Sequence, residues 1–251
     1  MLRRVVIVGG GFGGLSAVRA LRNTPVRVTL IDKRNYHLFR PMLYQVATGL
    51  LSADEVSGPL RSIFRRQKNV DVLLDEVTGI NSDQRIVHLT RGDLAYEFLI
   101  LATGIQNNYF GHDEWRRFAP GLESLDDADV IRSKILRAFE RAEEMASVEQ
   151  AGTEEIRCQL TFALVGAGAV GVEMAGTLAE ISRMALAHDF RHIDPTSARV
   201  PTGLIRHDLP EPVCFYLQPA PSLTQQLPLP TVQYQPEFSV RRRQLPPNPH
   251  L

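Results

Sequence analysis

The sequence predicts an α/β chain of two successive strand-turn-helix units, the second incomplete, followed by a proline-rich tail. Three observations carry this. Short β-branched runs alternate with helical periodicity over residues 1–200, the pattern of βα units around a parallel sheet. A glycine turn with G-x-G-x-x-G spacing follows such a run twice, and the composition changes abruptly near Val200. The 251 residues are 44% hydrophobic and 22% charged, enough for packed cores without metal or disulfide staples. With 28 basic and 28 acidic side chains there is no global field to draw in nucleic acid, which is excluded as a partner.

The first unit opens with the strand Val5-Val6-Ile7-Val8, the turn Gly9-Gly10-Gly11-Phe12-Gly13-Gly14 and a helix from Leu15. Gly9 permits the tight turn, Gly11 lets backbone approach a pyrophosphate, and Gly14 lets helix pack on strand. The helix N-terminus then offers unpaired N–H groups to phosphate. The next strand, Val26 to Ile31, ends at Asp32, 18 residues beyond Gly14, where a carboxylate can bind the ribose of an adenine dinucleotide.

Ser52-Ala53-Asp54-Glu55 has capping-box spacing, and Pro59 is placed to start a helix through Phe64. Val70 to Leu74, Ile86 to Thr90 and Ala95 to Ala102 then read as a three-strand meander in place of a crossover helix, with turns at Asn81-Ser82-Asp83 and Arg91-Gly92-Asp93. The latter spells a cell-adhesion tripeptide, but between two strands it reads as a turn. The run Phe98 to Ala102 ends in Thr103-Gly104, where a flat group can approach backbone closely. Ala102-Thr103-Gly104, about 90 residues after a glycine turn and behind a meander, is the pattern of flavoprotein reductases with two dinucleotides.

Ser124 with Asp126 and Asp127 marks a helix start, and apolar spacing carries that helix to about Ser147. A polar joint, Gln150 to Glu155, precedes the strand Leu160 to Val165, the turn Gly166-Ala167-Gly168-Ala169-Val170-Gly171 and a helix Val170 to Leu186. Two such turns imply two facing Rossmann-like units, a flavin held first and a nicotinamide second. Glu173 lies in the opening turn of that helix. Its carboxylate there either serves the helix dipole, a contribution of about 0.3–1 kcal/mol, or reaches the flavin–nicotinamide contact to orient substrate or relay a proton. His188 and His192 stand at i and i+4 without a third ligand, so no metal is expected. Ser197-Ala198-Arg199-Val200 begins a further strand, but no acid that would distinguish NADH from NADPH follows it.

Residues 1–200 hold 17 glycines and 5 prolines; residues 201–251 hold 1 glycine, 11 prolines and six glutamines. The tail is expected to be extended and disordered. Neither Pro228-Leu229-Pro230 nor Arg241-Arg242-Arg243 is assigned a partner. The loss of glycine with gain of proline, glutamine and arginine suggests a frame disruption near codon 200. Only Cys158 and Cys214 occur, which fits a reducing, cytoplasmic setting, and no apolar run is long enough to span a membrane.

The segments Val5–Gly14, Leu30–Phe39, Leu43–Thr48 and Gly166–Glu173 resemble type II NADH:quinone oxidoreductase, over residues 1 to about 200. Asn35-Tyr36-His37-Leu38-Phe39 and Tyr44-Gln45-Val46-Ala47-Thr48 are more specific to that family than the glycine turns. The resemblance implies a glutathione-reductase-like fold, with an FAD-binding segment at 1–115, the start of an NAD(H)-binding domain at 116–200 and the tail at 201–251. It implies FAD on Gly9, Gly11, Phe12, Gly13, Gly14, Asp32 and Lys33, with Val77 at the adenine and Ala102, Thr103 and Gly104 along the flavin. It places the NADH pyrophosphate on Gly166, Gly168 and Gly171, and makes Glu173 catalytic. Hydride would pass from NADH to flavin and electrons to a quinone at the cytoplasmic face of the membrane, with no protons pumped. A homodimer is allowed.

The absence of a cysteine pair in the FAD half argues against disulfide and sulfide:quinone reductases. After Val200 the sequence shows neither the family's later Gly-Asp segment nor its quinone-site residues and amphipathic anchor, so a truncated chain of doubtful activity is expected. Two other readings stand beside it: a reductase with another acceptor, such as an iron–sulfur protein, and a non-catalytic nucleotide-binding fragment.

Overall fold

The computed structural model describes residues 2–109, 111, 113–148, 152–166 and 168–203. The proline-rich tail beyond Gly203, with Cys214 and Arg241 to Arg243, lies outside the described residues. Strand β1 (Arg3–Val8) leads into helix α1 (Phe12–Ala20) and strand β2 (Val26–Asp32). A short antiparallel pair follows, β3 (Tyr36–Leu38) with β4 (Ser57–Pro59), enclosing helix α2 (Leu43–Ala47). Helix α3 (Leu60–Phe64) then precedes β5 (Val70–Leu74). Three antiparallel strands, β6 (Val77–Asn81), β7 (Ile86–Leu89) and β8 (Gly92–Ala95), precede β9 (Phe98–Leu101).

β5, β2, β1 and β9 form one parallel sheet in that order, with Val8 opposite Ile31 on one side and Leu101 on the other. The sheet is covered on both faces, which is why residues 5–8 of β1 are an unbroken apolar run and residues 28–31 of β2 are buried throughout. One face packs Val5, Ile7, Val28 and Leu30 against Leu15 and Val18 of α1 and Leu60 and Phe64 of α3. The other packs Val6, Val8 and Ile31 against Val87 and its meander neighbours.

The meander therefore differs from the one expected. Val70–Leu74 is an edge strand of the parallel sheet, because Val70 and Val72 face the helices while Leu73 faces the meander. Phe98–Leu101 likewise pairs with β1, with Leu99 and Ile100 on opposite faces. The meander itself is built from residues 77–81, 86–89 and 92–95. Gly92, at φ 135°, makes its second turn, and Asp93 bonds the His88 ring at 2.8 Å, in keeping with the turn reading of Arg91-Gly92-Asp93. Ser52 does meet Glu55, at 2.8 and 2.7 Å, but around a turn; the helix starts after Pro59.

The second half begins with helix α4 (Leu125–Ser147), whose Ser124 and Asp127 form the reciprocal cap expected. The polar joint is partly helical: α5 (Thr153–Gln159) occupies it. Strand β10 (Leu164–Val165), helix α6 (Ala169–Glu180) and strand β11 (Thr202–Gly203) follow, β10 and β11 running parallel. Pairing extends back to Thr161 opposite Arg199, with Phe162 N donating to Arg199 O at 2.8 Å and Leu164 N to Pro201 O at 3.0 Å. The strand expected from Ser197 starts later: Ser197 ends a 3-10 turn (Pro195–Ser197), and the pairing runs from Arg199 through Pro201. That proline has no N–H to return a bond, which keeps the regular ladder to two residues. α6 also ends earlier than the expected Leu186, in a wider turn over Ile181–Ala185.

One cluster joins the halves: Leu43, Val46 and Ala47 of α2 pack with Ile131, Ile135 and Phe139 of α4 and Met174 and Leu178 of α6. No helix among the described residues is long and apolar enough to cross a membrane. No group of three metal-ligating side chains occurs among them, and His192 bonds Glu143 at 2.8 Å. Burial pushes the Glu143 carboxyl up, but the His192 ring and the N–H groups of His192, Arg191 and Ile193 bring it down to about 2. Since the folded value lies below the ordinary 4.5, this clamp stabilises the fold above about pH 4.5, and that contribution is lost as pH falls from there toward 2. Thermal melts should show Glu143→Gln less stable than the wild type at pH 7, with the gap narrowing below about pH 4.5 and closing toward pH 2. A gap independent of pH would contradict the clamp.

Candidate functional site

The first glycine turn sits where β1 leaves the sheet. Gly9 N donates to Ile31 O at 2.8 Å, and its φ of 107° is one that L side chains rarely adopt. A Cβ on Gly9 would run into the Ala102 carbonyl, and one on Gly14 into the Gly9 carbonyl. Those two contacts hold α1 against β1 and β9 at backbone distance. Gly11 is the residue before α1, its O accepting from Leu15 N at 2.9 Å, and a Cβ there would meet nothing within 4 Å. The space in front of Gly11 is therefore free for a ligand beside the unpaired N–H groups of the first helical turn.

The carboxyl ends of the parallel strands converge on this turn. Asp32 ends β2, its Oδ2 accepting from Gly10 N at 2.5 Å and its Oδ1 from Arg34 N at 2.6 Å. Each oxygen keeps a lone pair for a further donor. Lys33 beside it is exposed. Ala102 follows β9, its N donating to Val8 O at 2.8 Å, and its Cβ lies 3.5 Å from a Cβ built on Gly13. Thr103 and Gly104 are exposed, Gly104 with φ 78°. Val77 starts β6, just after β5 reaches the same edge, and is half-buried against the sheet.

Phe12 is 49% exposed and meets the His37 ring edge-on at 4.9 Å and Phe39 at 5.4 Å. The His37 Nδ1 lies 3.0 Å from Gly10 O. Arg40 donates to Ile105 O at 3.1 Å and to Glu123 O at 3.3 Å, tying the loop after Gly104 to the approach to α4. The segment Asn35 to Phe39, a family signature in the sequence, carries no sign there that His37 and Phe39 meet the turn. Their proximity comes from the β3–β4 pair, which carries no strong signal in the sequence.

The second turn repeats the construction. Gly166 has φ 105°, a Cβ on Gly171 would come within 2.6 Å of Gly166 O, and Gly168 precedes α6 with its O accepting from Val172 N at 3.1 Å. Ala167 lies outside the described residues. Glu173 is exposed on a helix held down by Met174 and Leu178, but lies past the opening turn expected for it: α6 starts at Ala169 and its first turn holds no acid. Cys158, outside both turns, has its thiol raised by burial and by the nearby Glu154, the reverse of an activated thiol.

Residues 3–196 match the pyridine nucleotide-disulphide oxidoreductase family. The chain belongs to that family. It is 48% identical over 201 residues to the type II NADH:quinone oxidoreductase NdhA of Mycobacterium tuberculosis, covering 78% of this chain and 42% of the relative. It is 33% identical to the mitochondrial external alternative NAD(P)H-ubiquinone oxidoreductase B3 of Arabidopsis thaliana, covering 76% of this chain and 33% of that one. The fold superposes on NDH2 from Plasmodium falciparum, solved in complex with NADH, with TM-score 0.70 and 25% identity, over 80% of this chain and 42% of that chain. The chain thus spans less than half the length of these relatives. The likeness read from the motifs agrees with their names.

The two kinds of glycine separate in a substitution test. Gly14→Ala forces a methyl against a backbone carbonyl that cannot step aside and should destabilise the fold by ~1–3 kcal/mol. Gly11→Ala, placed in open space, should leave the melting temperature within about a degree, an effect below ~0.5 kcal/mol. Equal losses in the two melts would contradict the packing described.

Proposed function

We propose that this chain carries the FAD-binding and NADH-binding portions of a quinone-reducing NADH dehydrogenase, acting at a membrane surface. The observation that carries the reading is the repeated turn. Twice, a positive-φ glycine follows a parallel strand, a second glycine precedes a helix, and a third packs that helix against the carbonyl of the first; at Gly11 the space before the helix is open. This is a cradle for pyrophosphate, and its repetition fits two dinucleotides. The residues present fit FAD at the first turn, where the carbonyl-packed glycines leave no side chain between backbone and ligand. We assign residues 1–115 to the FAD-binding segment and 116–200 to the NAD(H)-binding one.

Bound there, FAD supplies the two-electron chemistry that links hydride from NADH to reduction of a quinone. Gly11, Phe12, Gly13 and Gly14 hold its pyrophosphate through the N–H groups at the start of α1 and the α1 dipole, while Gly9, its N–H bonded to Ile31 O, turns the chain toward them. The Asp32 carboxylate, fixed by Gly10 N and Arg34 N, accepts from the ribose hydroxyls. Lys33 flanks it. Val77 offers backbone to the adenine, and Ala102, Thr103 and Gly104 leave the flat ring system a side-chain-poor wall. Gly166, Gly168 and Gly171 hold the NADH pyrophosphate, and Glu173, beside the α6 N-terminus, orients the nicotinamide and holds a proton.

The purified chain should bind FAD, its flavin absorbance should bleach with NADH, and a short-chain quinone should restore it. Asp32→Ala should weaken FAD binding by about tenfold or more, the loss of a charged hydrogen-bond acceptor. Glu173→Gln should slow turnover while leaving FAD affinity unchanged. Failure of the unmodified chain to bind FAD would sink the reading. Reoxidation by a ferredoxin-like iron–sulfur protein but not by quinone would keep the cofactors and replace the acceptor.

A further inference from the structure

The opposite edge of the parallel sheet carries a cleft that the nucleotide reading does not use. Its cavity of about 800 Å³ is lined by Arg19 and Arg22 from the end of α1 and by Arg65 and Arg66 just after α3, with Ser62 and Ile63 between them. α1 returns to the amino end of β2 within a few residues of Leu21, and Val70 opens β5 soon after Arg66. The four arginines therefore stand at the amino ends of the strands, while Gly58 and Pro59 carry the other end of the cleft back along α3 to the β3–β4 pair. All four arginines are exposed.

The two segments that carry these arginines are held together by a buried framework. Gln67 is buried, and its Nε2 donates to Val18 O at 2.9 Å and to Asn69 Oδ1 at 3.0 Å. Asn69 Nδ2 in turn donates to Leu21 O at 2.9 Å. These bonds lock the segment bearing Arg65 and Arg66 to the helix end bearing Arg19 and Arg22. No acidic side chain lines the cavity. Among the described residues none of the four arginines forms an ion pair, whereas Arg27, Arg40, Arg91 and Arg157 each do. A helix C-terminus favours one cation such as Arg19, but not four. Clustered like charges repel, and guanidinium forks match phosphate oxygens in pairs.

We propose that this cleft is a binding site for a phosphate-bearing ligand, distinct from both dinucleotide sites. Its volume is that of a small-molecule pocket rather than of a single phosphate ion. Phosphate of this kind reaches a protein either on a soluble polyphosphorylated metabolite or on a phospholipid head group, and both present the same oxygens to the arginines.

The test uses the full chain saturated with FAD, so that the glycine turn does not compete. Tripolyphosphate binding is measured by calorimetry, and lipid binding by flotation with vesicles of phosphatidylglycerol in phosphatidylcholine. Arg19→Gln/Arg22→Gln and Arg65→Gln/Arg66→Gln are compared with Arg137→Gln/Arg141→Gln, which removes the same charge from the exposed side of α4. Each cleft pair should weaken binding about tenfold or more, while the α4 pair stays within about twofold. The two cleft pairs lie on separate elements, so one that fails to fold leaves the other informative. Tripolyphosphate binding with this dependence identifies a soluble ligand, and vesicle binding alone with the same dependence identifies a head group. No binding to either probe, or equal loss in the α4 pair, overturns the proposal.

Discussion

The Gly9 carbonyl is the point around which the first unit is assembled. It is reached by Gly14 so closely that a methyl on that residue has nowhere to go, and Gly9 itself is pressed against the carbonyl of Ala102. A strand, the helix after it and a strand from about 90 residues away are thereby held at backbone contact, a separation that any side chain would increase. Because α1 then starts at the carboxyl edge of the sheet, its unpaired N–H groups, the end of β2 at Asp32 and the end of β9 at Ala102 must meet in one place. The site is a consequence of how the sheet closes rather than an addition to it.

The second unit obeys the same constraint through Gly166 and Gly171, but hangs on different supports. Its helix is held by Met174 and Leu178 against α2, which belongs to the first half, and by α4 through Phe139, whose ring lies 5.5 Å from Phe162 and 5.9 Å from Phe190. α4 also supplies Glu143, which gathers three backbone N–H groups and one imidazole from the loop at 191–193. A long helix thus sets where the second turn stands relative to the first. Leu38 and Val56 join the same cluster and Arg40 meets Glu123, so α2, α4 and the β3–β4 pair together set the geometry between the two turns.

The sheet also separates charge by edge. At the carboxyl ends of its strands stand backbone N–H groups and a helix dipole; at the amino ends stand arginines on two segments tied together by Gln67 and Asn69. The first kind of site is written in glycine spacing. The second depends on two helix ends brought together by folding, and four scattered arginines say nothing of it in sequence.

What the sequence determined by itself was local. The strand-turn-helix at Gly9–Gly14 and its repeat at Gly166–Gly171, the acid at Asp32 and the Ser124 cap all act through neighbours a few residues apart or at a fixed offset, so spacing reveals them. The membership of Val70–Leu74 and Phe98–Leu101 in the parallel sheet was decided by tertiary structure, because both are short apolar runs whose two faces take their partners from elements far away in the chain. The same holds for the helical joint at Thr153–Gln159, for the strand that passes through Pro201, and for His37 and Phe39 at the first turn. A side chain's own type sets what it can bond; only the packed sheet sets what it meets.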